Sequence, residues 1–268
     1  MDKIKRLRDW LRDVSGAVVA YSGGVDSTFL AYMSFSVLGE RALCVTAVSP
    51  TYPEHQLCEA RTIAQKMGLR HRIIRTGECE SAEFTANTPD RCYHCKLALF
   101  TELRRLAQEN NLPAVLDGAN ADDAADHRPG HRAGAELGVK SPLRELGFTK
   151  NDIREASRAL QLPTWNKPAY ACLASRIPYG TPISTAALKR IDEAENFLVS
   201  LGLRQIRVRD HHPVARIEVD PAELELAWRD RRKIAAGLHA AGYPYVALDL
   251  DGFRSGSMNE VLGKDSGK

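Results

Sequence analysis

The 268-residue sequence contains no apolar run approaching the roughly 20 residues a membrane-spanning helix needs. Its basic start, Met1-Asp2-Lys3-Ile4-Lys5-Arg6-Leu7, leads into an amphipathic stretch and not into the apolar core of a secretory signal. A soluble, cytoplasmic protein with no membrane partner is therefore expected. Charge of either sign is not in excess: 37 Lys and Arg stand against 34 Asp and Glu. A net charge of +3 is too slight to imply nucleic acid by itself. No Gly-Lys-Ser/Thr follows the glycine-rich segment near residue 23, and no Gly-x-Gly-x-x-Gly is present there, so neither a Walker A loop nor a dinucleotide fingerprint applies. No internal repeat is visible. Six cysteines in a cytoplasmic chain are expected as reduced thiols or metal ligands, not disulfides.

What the sequence does have is ordinary globular composition, 44% hydrophobic and 26% charged, and enough length for one large or two modest domains. In the first half, short β-branched runs alternate with helical patterns. Strands are expected at 17–21, 42–48, 70–75 and 113–118, with helices at 26–38, 54–67 and 93–110 between them. That alternation predicts an α/β fold: a doubly wound, mainly parallel sheet with helices on both faces. Residues 119–149, rich in Gly, Asp and Pro, read as loops over the sheet's C-terminal edge, followed by a helix at 149–160. From Ser184 the pattern changes to a capped helix, strands at 204–209 and 214–219, a helix at 221–241 and a strand at 245–250. The expected domains are 1–180, which binds the nucleotide, and 181–268, a smaller α+β unit. The tail after Gly263 reads as a disordered end.

Ser22-Gly23-Gly24-Val25-Asp26-Ser27 joins the first strand to the first helix of this sheet. Two glycines let backbone N–H groups approach an anion, and the helix N-terminus adds unpaired donors and partial positive charge. Ser22 and Ser27 can donate to phosphate oxygens, while Asp26 suits a helix cap or a magnesium ion. The alternative is a glycine-rich turn that binds nothing. Gly118 would let a nucleotide lie against the backbone after the fourth strand. Asp117, Asp122, Asp123 and Asp126 beside it are either magnesium ligands or turn-capping residues.

Cys92 and Cys95 open a helix, and Cys172 lies far off in Ala171-Cys172-Leu173-Ala174-Ser175-Arg176. Together they suit an iron–sulfur cluster with one exposed iron, or zinc with an open position. Otherwise Cys172 is a reactive thiol favoured by Arg176, or Cys92 and Cys95 only pack a helix. Cys44 and Cys58 read as core residues, and Cys79 as a loop residue. Arg207 and Arg209 lie two apart on a strand and so share a face, which Arg216 can join. They suit a nucleotide phosphate, or form a solvated face. His211 and His212 read as surface residues.

Beyond the phosphate loop, Arg91-Cys92-Tyr93-His94-Cys95-Lys96, Leu116-Asp117-Gly118-Ala119-Asn120-Ala121-Asp122-Asp123, His127-Arg128-Pro129-Gly130 and Ser141-Pro142-Leu143 occur in order. Trp165-Asn166-Lys167-Pro168-Ala169, Cys172 to Gly180 and Arg254-Ser255-Gly256-Ser257 follow. The loop resembles that of the PP-loop ATP pyrophosphatases. Over roughly residues 10 to 260, the set resembles the LarE-type sulfur transferases of nickel-pincer nucleotide biosynthesis. The resemblance implies ATP and Mg2+ as cofactors and adenylation of a pyridinium dicarboxylate mononucleotide, with sulfur then giving a thiocarboxylate. It implies one of two sulfur sources. Cys172 surrenders its own sulfur and becomes dehydroalanine, or Cys92, Cys95 and Cys172 hold a four-iron, four-sulfur cluster; the three cysteines favour the latter. It further implies phosphate binding by Arg207 and Arg209, Glu195 near the substrate or a metal, a homo-oligomer, and downstream nickel-pincer biosynthesis proteins as partners. A tRNA thiolation enzyme, an ammonia-using adenylating ligase and a nucleotide-sensing module are the competing readings.

Overall fold

The computed structural model describes residues 2–125, 129–168, 171–254 and 257–259. Asp126, His127, Arg128, Ala169, Ser255, Gly256 and the tail after Gly263 lie outside the described residues. The chain forms two compact units. The first comprises Met1–Ser49, His55–Phe84 and Thr88–Tyr170; the second comprises Pro50–Glu54, Thr85–Asn87 and Ala171–Lys268.

In chain order the first half runs α1 (Asp2–Val14), β1 (Ala17–Ala20), α2 (Val25–Leu38), β2 (Ala42–Val48), α3 (Glu54–Lys66), β3 (His71–Arg75), α4 (Ala82–Thr85), α5 (Arg91–Glu109) and β4 (Ala114–Leu116). Three helices follow, α6 (Pro129–Glu136), α7 (Pro142–Glu145) and α8 (Lys150–Ala159). The four strands form one sheet in the order β3-β2-β1-β4, with every pairing parallel. Alternate residues of β1 serve opposite faces, as strand geometry requires. Ala17 and Val19 pack with Leu7 and Leu11 of α1 and Phe29 and Met33 of α2, and Val18 packs with Phe100 and Leu103 of α5. Both faces are covered, as the alternating sequence predicts. In this order the strand sequence reverses between β1 and β4, the crevice where open α/β sheets bind ligands.

The stretch read as loops between 119 and 149 contains α6 and α7. Both are short and begin with Pro at the first helical position, where its fixed φ is already helical; no apolar periodicity of that length marks them. Helix α8 is closed at its start by a capping box, in which the Thr149 side chain accepts from Asp152 N and the Asp152 carboxylate from Thr149 N. Lys3 also pairs with Asp152 at 2.7 Å and, with the bonds from Thr149, pulls its carboxyl down to about 2.

The second unit contains α9 (Thr185–Ser200), β5 (Ile206–His211), β6 (Val214–Val219), α10 (Leu224–Arg229), α11 (Arg231–Ala240) and β7 (Tyr245–Leu248). Its sheet runs β5-β6-β7, antiparallel then parallel, a smaller α+β arrangement as expected. Ser184 caps α9, its hydroxyl accepting from Ala187 N at 3.1 Å. The single helix expected over 221–241 is broken at Asp230. This residue type competes with the helix for backbone bonds, and its carboxylate is taken by Lys233 and Arg229. Among the described residues no helix is long and apolar enough to cross a membrane.

The α5 face of the sheet hangs on Phe100, which is 1% exposed. Phe100→Ala is expected to lower unfolding free energy by about 3–5 kcal/mol. An unchanged urea midpoint would contradict this packing.

Candidate functional site

At the C-terminal end of β1 the chain turns through Ser22, Gly23 and Gly24 into α2. Gly23 has φ +68°, and a Cβ there would lie 2.8 Å from the Ala60 Cβ, so conformation and space both require glycine. Gly24 is the N-cap in extended conformation, with no side chain capping the helix. The first-turn amides of α2 therefore open at the crevice with the donors an anion uses. Ser22 and Ser27 close the loop's neck, their hydroxyl oxygens 3.0 Å apart while Ser22 N donates to Ser27 Oγ at 3.2 Å. From β4, adjacent to β1, Gly118 lies so close that a Cβ would come within 3.1 Å of Ser27 N. The backbone at Gly118 thus lies close against the start of α2.

Asp26 does not cap the helix. It lies inside the first turn, past the N-cap, and its Oδ2 is ion-paired with Lys150 of α8. Its Oδ1 is buried with no partner, an oxygen suited to a magnesium ion. Lys167, 8% exposed, donates to Gly23 O at 3.0 Å and pairs with Glu59 at 2.7 Å. Neither lysine stood out as a site residue in the sequence, although Lys167 belongs to the Trp165-Asn166-Lys167-Pro168 segment. Asp117 accepts from Ala119 N (3.3 Å) within its turn and from Ser141 Oγ (2.6 Å), Asp122 from the distant Lys150 N (2.8 Å), and Asp123 locally from Asn120 N (3.0 Å).

In the second unit, Cys172 is exposed at the head of the 3-10 turn Leu173–Arg176. Arg176, fully buried, forms a two-pronged pair with Glu195 of α9, Nε to Oε1 and Nη2 to Oε2, both 2.8 Å. Glu195 also accepts from Val208 N at 2.9 Å. Burial alone would raise the Glu195 carboxyl, but Arg176, Arg207 and these bonds hold it below its ordinary value. Arg207 and Arg209 share one face of β5 as expected. They are 4% and 5% exposed, so the face is not a solvated one. Arg207 stacks over Phe253, 4.9 Å from its ring centre. Arg209 pairs with Glu218 at 2.6 Å and donates to Ser175 O and Ser257 Oγ. Arg216 joins Glu218 from the other side at 3.2 Å and pairs with Asp249. Three buried guanidinium groups, Arg176, Arg207 and Arg209, thus face two buried carboxylates, Glu195 and Glu218. Arg209 Nε is buried without a partner.

None of the six cysteines is in a disulfide. Cys44 is in the core, where burial pushes its thiol up to about 12. Cys58, expected in the core, is exposed: it lies on the outer side of α3, whose buried face is formed by Gln56, Ala60, Ile63 and Ala64. Cys92 and Cys95 stand three apart near the start of α5, which puts them on one helix face, Cys92 exposed and Cys95 half-buried. Soft thiolates suit iron–sulfur chemistry, but among the described residues no three His, Cys, Asp or Glu side chains are grouped to hold a metal ion. His211 and His212 are exposed at the β5–β6 turn.

Strand, glycine turn and helix at a switch point define a nucleotide-binding domain of the PP-loop ATP pyrophosphatase type, and a family model for NAD synthase matches residues 4–110. The chain is 41% identical over 264 residues to the uncharacterized protein slr1717 of Synechocystis, covering 98% of each chain. It is 37% identical over 257 residues to the pyridinium-3,5-bisthiocarboxylic acid mononucleotide synthase of Lactiplantibacillus plantarum, covering 95% of this chain and 92% of that protein. The uncharacterized protein MJ0830 of Methanocaldococcus jannaschii is 32% identical over 89% of this chain and 90% of its own. The chain belongs to the LarE-type family of ATP-dependent sulfur transferases, the pyridinium-3,5-bisthiocarboxylic acid mononucleotide synthases.

Because the Glu195 carboxyl is held below its ordinary value of 4.5, its contribution to stability is full above that pH and is lost as pH falls through the depressed value. Urea unfolding should show Glu195→Gln markedly less stable than the parent at pH 7, with the gap narrowing below pH 4.5. A gap independent of pH would show that the ionised carboxylate is not the stabilising form.

Proposed function

We propose that this chain uses Mg2+-ATP to adenylate a carboxylate of a pyridinium dicarboxylate mononucleotide and converts it to a thiocarboxylate, with Cys172 as the thiol that delivers sulfur. The reading rests on one combination: a loop shaped for phosphate at the α2 N-terminus, and an accessible cysteine on a turn held by buried arginines. The phosphates lie against the first-turn amides and the Ser22 and Ser27 hydroxyls, and Asp26 Oδ1 takes the magnesium. A carboxylate oxygen attacks the α-phosphorus, the bond to the bridging oxygen breaks, and pyrophosphate leaves. The acyl carbon, now bonded to AMP, accepts the Cys172 sulfur and AMP departs, giving a thioester. Loss of the Cys172 Cα proton with cleavage of its Cβ–S bond frees the thiocarboxylate and leaves dehydroalanine, with no oxidant or reductant needed. Arg207 and Arg209 bind the mononucleotide phosphate, to which the buried, unpartnered Arg209 Nε can donate. A product rich in sulfur donors suits a soft metal such as nickel in the step that follows.

The shared helix face of Cys92 and Cys95 favours a second sulfur source. With Cys172 they would hold a four-iron, four-sulfur cluster that supplies sulfide in place of the cysteine's own sulfur.

Oxygen-free protein given ATP, Mg2+ and the dicarboxylate mononucleotide should release pyrophosphate, and Cys172→Ala should still do so while forming no thiocarboxylate. Absence of pyrophosphate release from the parent protein would end the adenylation reading. After turnover, loss of the mass of one hydrogen sulfide from the Cys172 peptide marks the sacrificial route, whereas about four irons per chain with an intact Cys172 marks the cluster. Arg209→Ala should raise the KM for the mononucleotide about 10- to 100-fold, the worth of a charged hydrogen bond. An unmoved KM would remove Arg209 from the phosphate site.

A further inference from the structure

Arg176 looks from the sequence like a cation placed to favour the Cys172 thiolate. The geometry gives it further work. Each nitrogen of its guanidinium is engaged: Nε and Nη2 with Glu195, and Nη1 with Ala171 O (2.7 Å), Cys172 O (3.0 Å) and Ser175 Oγ (3.0 Å). The group is fully buried and points its third nitrogen at the main chain on both sides of the Cys172 α-carbon, since the carbonyls of residues 171 and 172 flank it. Further bonds fix the same stretch. Ser175 N donates to Cys172 O at 3.0 Å, and Leu173 N donates to Thr51 O at 2.8 Å. Downstream, the fully buried Asn87 donates through Nδ2 to Pro178 O and Thr181 O, both at 2.8 Å. Glu195, on rigid α9, is tied in turn to β5 through Val208 N.

Building on Cys172 as the sulfur-delivering thiol, we infer that Arg176 and Glu195 are positioning residues for the transfer step: Glu195 aims the guanidinium, and the guanidinium fixes the peptide groups around Cys172 so that only its exposed side chain is free to turn. The acylated nucleotide is presented to a stationary sulfur, and the loop makes no excursion toward it. Arg176 touches neither ATP nor mononucleotide, because its nitrogens are already committed to Glu195 and the main chain. Lysine cannot substitute. One ammonium lacks the planar fork that holds a carboxylate on one side and two carbonyls on the other.

The test uses the full chain, with pyrophosphate release and thiocarboxylate formation followed in the same single-turnover reaction. Arg176→Lys should release pyrophosphate within about twofold of the parent while thiocarboxylate forms on the order of 100-fold more slowly, with the KM for the mononucleotide unmoved; a misplaced reacting atom has an effect of that size. Glu195→Gln, which retains shape and loses charge, should show the same split in weaker form. Thermal unfolding of both variants, with pyrophosphate release as an internal check, confirms that the chain is folded. Parental transfer rates in Arg176→Lys would overturn the inference, as would a parallel loss of both products in folded protein. A parent that releases no pyrophosphate, or a Cys172→Ala variant that still makes thiocarboxylate, would instead defeat the functional reading on which the inference rests.

Discussion

The second unit is organised around a carboxylate buried from solvent. Glu195 is 1% exposed, and an ionised group so placed must be met by charge and by hydrogen bonds or it neutralises. Arg176, the Val208 amide and the neighbouring Arg207 meet it here. Helix α9, strand β5 and the Cys172 turn are thereby brought into one arrangement. Removing one member would leave the others buried and unpaired, a larger loss than that of any single bond. The Cys172 turn is thus held by electrostatics, not by the unit's apolar core, which lies on the other side of β5 around Val208, Ile217 and Leu238.

The first unit solves a different problem, bringing backbone near an anion. Its solution is subtraction of side chains. Gly23, Gly24 and Gly118 follow two neighbouring strands; a Cβ at Gly23 would clash with Ala60, and one at Gly118 would crowd Ser27. Two lysines from distant segments then complete the loop, one on the Asp26 carboxylate and one on the Gly23 carbonyl. The two units thus rest on opposite devices, absent side chains in the first and densely paired ones in the second.

Much of this was legible in the sequence, for a local reason. The β1 turn, the Ser184 cap and the alternation of strand and helix depend on neighbours within a few residues, and β2 and β6 have the bounds expected of them. The spacing of Arg207 and Arg209 fixed their common face, but not their burial, since a strand face does not reveal what covers it. Lys150, Lys167 and the Arg176–Glu195 pair were not legible as site architecture, because their partners lie 124, 144 and 19 residues away. Cys58 misled because an apolar-looking residue within an amphipathic helix can lie one position off the buried stripe. The helix break at Asp230 is a local conflict that periodicity over 221–241 overrides on paper.

The second unit is not a contiguous segment of the chain. Thr51 and Asn87, from the N-terminal half, are fixed parts of it: Thr51 O receives Leu173 N, and Asn87 bonds to residues on either side of Gly180. No single cut in the gene can therefore release this unit whole. A fragment beginning at residue 171 would lack both anchors of the cysteine turn, and a recombination that exchanged only the C-terminal portion between relatives would have to find compatible residues at 51 and 87 already waiting. Inheritance of the second unit is in this way bound to that of the first, independently of any chemistry they share.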